Sequence, residues 1–486
     1  MSIDIRKYLV PKHIKEKPLT FSVGIILWFL LVFSYLLFVV DWGLAFGLNG
    51  KTGAEGYGTL GYYFPTSTVS EITSQGTNFG ITIGRAIGSI AVGWAIAKLT
   101  HKYAVILALG LMLFGIIAPY SPTYAGFVIM RLLLAIGGTT MIVLVQPIVS
   151  AYFNNGQKAV ISQFTPWFYP IGTIITLAPF AFDSSVSKAV SAYWQEIYLG
   201  FGLATLIPLV GYILLGSRFD IYPSTIRKEK EAQLANPNQE KLSIWRFIKQ
   251  KDTWIWTLLY GSWLIAVVFP SAFSNTLFAG MSNNIYSLDT KISTQFNPII
   301  SVFLIIFLCG IFAGPFTVGL WSKYKLKRRY FIGLVLGLGV LFYVLATIVF
   351  LYMVVPANLN SSKTDLAING LGNGTWLFYI LGFLMGVMLW GIQGVILNLP
   401  HEYKGSNPKK VGYQFGLIWG LGYAFYSIAT VLVAGIKSAS TEAAYAVFII
   451  LAALSVVGIL LSKEPNSSYK LWPSKGIEKI KKKIYI

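Results

Sequence analysis

Two stretches decide how this chain is read. They are Gly93-Trp94-Ala95-Ile96-Ala97-Lys98-Leu99-Thr100-His101-Lys102 and Gly319-Leu320-Trp321-Ser322-Lys323-Tyr324-Lys325-Leu326-Lys327-Arg328. Each is a short basic segment closing a long apolar run, and their leading glycines lie 226 residues apart in a chain of 486. A repeat at about half the chain length, in an apolar sequence, is what duplicated membrane bundles leave behind.

The composition places both stretches in a bilayer protein. Of the residues, 55% are hydrophobic and only 12% charged, whereas a soluble globular chain carries about 25% charged residues. Mean hydropathy is +0.65. These figures exclude an ordinary soluble enzyme and a disordered chain. The one cysteine, Cys309, excludes a disulfide framework and a cysteine metal site. No cofactor or metal is expected.

A helix crossing the hydrocarbon layer needs about 20 mostly apolar residues. Working outward from the two basic segments, such runs predict twelve helices: 21–48, 69–97, 104–119, 123–150, 157–181, 194–216, 253–280, 297–321, 330–355, 374–400, 411–436 and 444–462. The fold class is therefore all-α integral membrane, with 12 transmembrane helices in two six-helix pseudo-symmetric bundles. The expected divisions are a tail at 1–20, bundles at 21–216 and 253–462, a linker at 217–252 and a basic tail at 463–486. The first apolar run is too long for a cleaved signal peptide and is expected to stay as an anchor.

With alternate loops assigned to alternate sides, 31 Lys and Arg residues fall on one side and five on the other, with Arg85 and Arg131 inside spans. That asymmetry predicts a multi-pass cell-membrane protein with both termini cytoplasmic. It also explains the formal charge of +20 without nucleic acid. The cluster Lys481-Lys482-Lys483 reads as a contact for anionic lipids.

The sequence resembles the major facilitator superfamily (MFS), as a divergent member. Between its second and third spans that family carries Gly, three residues, Asp, a basic residue, one residue, Gly and two basic residues. Gly93, Lys98, His101 and Lys102 fit this pattern, with Ala97 at the Asp place and Thr100 at the Gly place. The second copy keeps Gly319, Lys327 and Arg328, with Lys323 at the Asp place. A second signature, in span four, matches at Arg131 and Gly137, with Ala135 replacing a glycine. The resemblance implies a secondary transporter, symporter or antiporter, working by alternating access. It implies gating at the loops that hold Gly93, Lys98, Lys102, Gly319, Lys327 and Arg328.

Charges within a span cost at least about 2.5–3.5 kcal/mol on insertion scales and mark function by default. Arg85, Arg131 and Asp41 are such charges; Glu71 and Glu196 lie near expected outer ends. Asp41 and Arg131 sit at similar depths, which allows a pair between them. That leaves Arg85, whose planar fork suits carboxylate or phosphate. Asp41 is the candidate coupling carboxylate. The second half offers neutral groups, Asn275 and Gln393, with Asn398 and Gln414 beside them. On the eleventh helix Trp419, Tyr423 and Tyr426 share one face. Substrate binding is accordingly assigned to Arg85, Arg131, Asn275, Gln393, Trp419 and Tyr423. Stripes at Gly80, Gly84 and Gly88 of helix two, and at Gly412, Gly416 and Gly420 of helix eleven, let helix backbones approach closely; the resemblance implies that these two helices lie at the interface between halves, where close contact would suit rocking. Trp42, Trp194 and Trp376 read as one interfacial belt, and Trp254, Trp256 and Trp321 as the other.

The expected function is transport of a small polar, anionic solute, an organic or sugar phosphate or a carboxylate, with a co-transported proton or a counter-transported anion. The alternatives are a neutral sugar or other nutrient, or drug efflux. The chain is expected to act as a monomer. An enzyme is disfavoured because His13, His101 and His401 all fall in expected cytoplasmic segments and His401-Glu402 lacks the second His of a zinc motif. A sensor would need an added signalling domain. No Gly-rich Lys-Ser/Thr phosphate loop occurs, so energy would come from a gradient.

Overall fold

The computed structural model describes residues 15–45, 60–64, 76–154, 157, 161, 164–181, 186, 189–190, 192–227, 231, 247–288, 296–322, 326–359, 374–402, 408–465 and 471. Glu71, Lys323, half of the expected linker and most of both tails lie outside them.

The described chain is helical almost throughout. Its main helices are α1 (Phe21–Gly43), α2 (Gly76–Leu99), α3 (His101–Met112), α4 (Tyr124–Tyr152), α5 (Phe168–Ala181), α6a (Trp194–Ala204) and α6b (Leu206–Leu215). They continue with α7 (Lys251–Tyr286), α8 (Asn297–Ser322), α9 (Arg328–Val349), α10a (Trp376–Leu389), α10b (Gln393–Glu402), α11 (Pro408–Lys437) and α12 (Thr441–Leu461). Eleven stretches among the described residues are long and apolar enough to cross a membrane. The fifth expected span is represented by α5, of 14 residues. In lipid every backbone polar group must be satisfied within the segment, which is why long apolar runs close into helices. Polar caps set two of the starts: Thr123 accepts from the Gly126 amide before α4, and Ser440 from the Ala443 amide before α12. Apolar side chains such as Ile129, Ile207, Leu214 and Ile450 are exposed on helix surfaces, as a lipid-facing surface requires.

The chain forms two compact units. The first holds residues 1–176, 185–249 and 412–431; the second holds 177–184, 250–411 and 432–486. The middle of α11 groups with the first unit and the end of α5 with the second.

In the first unit α2 lies against α4. A Cβ at Gly84 would come 2.5 Å from the Leu132 carbonyl, and one at Gly88 2.7 Å from that of Ile136. The expectation that the stripe of Gly80, Gly84 and Gly88 serves contact between the halves is thus corrected: it faces α4. The glycines that approach α2 from α11 are Gly416, toward the Ser89 carbonyl, and Gly420, toward that of Ala86. The second unit repeats the first contact, with Gly310 and Gly314 of α8 against Gly386 and Gly391. Its core is aromatic: Phe303 stacks on Phe378 at 4.2 Å, and Phe278 on Phe350 at 5.0 Å. A π-helical turn at Phe350–Val354 interrupts the ninth span, and the Tyr286 hydroxyl donates to its Leu351 carbonyl at 2.8 Å.

Candidate functional site

The two buried arginines of the first unit are Arg85 and Arg131, exposed by 1% and 0%. Their surroundings differ completely.

Arg131, on α4, is consumed by protein acceptors. Its Nη1 donates to the Asp41 carbonyl at 2.8 Å and to the Tyr198 hydroxyl at 2.9 Å. Its Nη2 donates to the Trp42 carbonyl at 3.1 Å, and its Nε to the Thr77 carbonyl at 3.3 Å. The guanidinium therefore covers carbonyls at the C-terminal end of α1, where the helix dipole is negative, and ties α1, α2, α4 and α6a together. The pair that matching depths allow with Asp41 takes another form, because Arg131 holds the main chain of Asp41 and not its carboxylate. Neither carboxylate oxygen has a hydrogen-bond partner among the described residues. The carboxyl is fully buried, close enough to Gly115 that a Cβ there would come 2.9 Å from Oδ2.

Arg85, on α2, is enclosed by rings. Its guanidinium carbon lies 4.3 Å from the Tyr423 ring centre, 4.9 Å from Trp42, 5.5 Å from Phe38, 5.8 Å from Tyr35 and 5.9 Å from Tyr169. Its Nη2 donates to the Tyr35 hydroxyl at 2.9 Å. Cation–π contacts of a desolvated guanidinium are worth about 2 kcal/mol or more, which helps to keep a cation inside a span. About two turns before Arg85 on α2, Asn78 accepts from the Trp42 indole at 3.0 Å, and its amide donates to the Tyr426 hydroxyl at 3.4 Å. Thr82 and Ser427 also share a hydrogen bond. Arg85, Tyr423 and Trp419 thus belong to one unit, and Trp419 is buried beside Tyr423.

Asn275 and Gln393 belong to the second unit. Asn275 lies on α7 and Gln393 opens α10b; the side-chain carbonyl of each is buried and accepts no hydrogen bond among the described residues. Three of the expected belt residues are corrected. Trp42 is buried in the Arg85 cage, and Trp194 in a cluster with Phe64, Phe127 and Tyr198. Trp256 is buried as well, whereas Trp254 and Trp376 are exposed.

Of the expected gating residues, Gly93 and the exposed Lys98 lie in the last turns of α2, Gly319 lies in α8, and Lys327 precedes α9, which Arg328 opens. His101, read from the sequence as a loop residue, opens α3 and is fully buried. Its Nε2 lies 2.8 Å from the Leu144 carbonyl and its Nδ1 3.0 Å from the Tyr212 hydroxyl. A carbonyl only accepts, so Nε2 carries a proton, and in the neutral imidazole Nδ1 accepts from the phenol.

The profile of the family described as Mycoplasma MFS transporter matches residues 127–438. The chain belongs to this family. It is 53% identical to an uncharacterised protein of Mesomycoplasma hyopneumoniae (strain 232), over 97% of this chain and 98% of that one. It is 26% identical to a major facilitator superfamily transporter of Mycoplasma genitalium, over 83% and 82% of the two chains. Among solved structures, the inward-open xylose transporter of E. coli superposes with a TM-score of 0.59 at 14% identity, covering 94% of this chain and 99% of that one. A crystal structure of a D-xylose–proton symporter gives 0.58, also at 14% identity, covering 93% and 100%. These structures share the MFS fold. The chain is a multi-pass membrane transporter of a small-molecule solute, and belongs to a family of transporters, not enzymes.

Proposed function

We propose that the chain is a secondary active transporter of a small anionic solute, an organic or sugar phosphate or a carboxylate, and that Arg85 binds the anion. One observation carries this reading: a buried guanidinium inside a span, its carbon over the rings of Tyr423 and Trp42. Stacking uses the faces of the group, while fork-type recognition of an oxyanion uses its edge. The hydroxyls of Tyr35, Tyr169 and Tyr423 supply neutral donors around it. Arg131 acts as the clamp of the bundle, with no solute contact. Trp419 is a neutral polar contact for the rest of the solute, and Asn275 and Gln393 are the neutral polar candidates of the second unit.

Asp41 is the coupling carboxyl. An ionised carboxylate without donors is costly to bury, so a group in this setting trades a proton as its surroundings open and close. A counter-transported anion would serve instead in an antiporter. By the charge asymmetry, the basic loops and both termini face the cytoplasm of the cell.

A second reading, a neutral sugar stacked on Trp42 and Trp419, is favoured by the indole faces in the first unit and by the xylose transporters that share the fold. Uptake into proteoliposomes separates the two. Glycerol 3-phosphate, glucose 6-phosphate, lactate and glucose would be offered to wild type and to Arg85→Ala. The proposal expects uptake of an anion that Arg85→Ala abolishes while insertion persists. Uptake of glucose alone, or anion uptake that Arg85→Ala leaves unchanged, would overturn it.

A further inference from the structure

The two basic segments that revealed the repeat contain no acidic residue, although each precedes a helix N-terminus that a carboxylate would stabilise. The deficit is marked at α9, which begins Arg328-Arg329, and at α3, which begins His101-Lys102. Thr100, alone between α2 and α3, adopts φ 73 and ψ 160, a region that only glycine enters freely.

In each half an acid from a distant part of the chain stands at that N-terminus. In the first half Asp220, just beyond the sixth span, accepts from the His101 amide through Oδ2 at 2.9 Å. In the second half Glu464, just beyond the twelfth, accepts from the Arg328 amide at 2.8 Å and the Arg329 amide at 3.2 Å. Each half also makes the reciprocal contact. Lys102 donates to the Ile213 carbonyl near the end of α6b at 2.7 Å. Arg329 donates to the Leu460 carbonyl near the end of α12. The participating positions correspond: the first residue of the third helix, its second residue, the last turn of the sixth helix, and an acid a few residues beyond. His101 and Arg328 are separated by 227 residues, nearly the spacing of the two glycines. Two independent sets of side chains, different in identity, make the same closed exchange.

We propose that Asp220–Lys102 and Glu464–Arg329 are paired clasps. In each half they fasten the third helix to the sixth at the basic end, so that the half moves as one body. The acid satisfies the positive N-terminus of one helix, and the base satisfies the negative C-terminus of its antiparallel neighbour. The loop signature of the superfamily would place its acid at Ala97 and Lys323; here the acid comes from after the last span of the half. The clasps are reinforced differently: Arg218 donates to the Tyr103 hydroxyl at 2.9 Å, and Lys463 pairs with Asp252 of α7 at 3.1 Å. This inference does not rest on which solute is carried.

Hydrogen–deuterium exchange of the purified full-length protein, without solute, tests it. Removing a helix cap commonly shifts local equilibria roughly 5- to 30-fold. Asp220→Ala is expected to speed exchange by that factor at 101–105 and also at 213–217, with the second half unchanged. Glu464→Ala should do the same at 328–332 and 460–464, with the first half unchanged. Asp220→Asn and Glu464→Gln keep an acceptor and should fall between wild type and the alanine variants. They carry the test if an alanine variant does not fold. Unchanged exchange, or an increase confined to the first turn of α3 or α9, would overturn the proposal.

Discussion

Arg131→Leu separates a clamp from a solute ligand. The substitution removes a cation that gives four hydrogen bonds to Asp41, Trp42, Thr77 and Tyr198. The Asp41 carbonyl and the Tyr198 hydroxyl, both buried, lose the donor. Interhelical hydrogen bonds in membranes average about 0.6 kcal/mol each and reach about 1.7 kcal/mol. The four bonds join four helices, so a loss of about 2–5 kcal/mol is expected. Leucine keeps apolar volume, which limits the cavity contribution. Arg131→Lys should lose less, because an ammonium still offers three donors. Unfolding of the purified protein in mixed micelles, followed by tryptophan fluorescence, reads both values. A variant Arg131→Leu as stable as wild type but unable to bind solute would refute the clamp.

Two further substitutions probe packing and coupling. Gly84→Ala puts a Cβ 2.5 Å from the Leu132 carbonyl and 2.7 Å from the Ala135 Cβ, so overpacking should destabilise by about 1–3 kcal/mol. Gly110→Ala meets nothing within 4 Å and should be neutral or slightly stabilising; equal Tm values for the two variants would contradict the contact between α2 and α4. Asp41→Asn should reduce accumulation against a gradient in proteoliposomes while sparing exchange. Accumulation at the wild-type level would remove Asp41 from the coupling role.

The architecture was legible because the bilayer asks a simple question of a sequence. Apolar runs of the right length placed the helices, and the basic loops at 93–102 and 319–328 exposed the duplication. Arg85 and Arg131 were findable because charge within a span is rare. Their different environments were not. The acceptors of Arg131 are mostly backbone carbonyls, which every residue carries and no sequence pattern distinguishes. A helical stripe such as Gly80, Gly84 and Gly88 shows that one face is smooth, but names no neighbour, and the neighbour is α4. Trp42 and Trp194 sit near helix ends, as belt residues do, yet they are buried, one beside Arg85 and the other beside Phe127. His101 lies at the mouth of a loop in sequence and inside the bundle in space, because α2 and α3 are separated by one residue, Thr100.

The central claim is that the ring-enclosed guanidinium of Arg85 takes up an oxyanion. Titration of the purified protein by calorimetry with glucose 6-phosphate, glycerol 3-phosphate, lactate and glucose, in wild type and in Arg85→Gln, tests it most directly. Saturable binding of a phosphate or carboxylate, absent for glucose and lost in Arg85→Gln, is the predicted result. Binding of glucose alone, or anion binding of equal strength in both proteins, would contradict it.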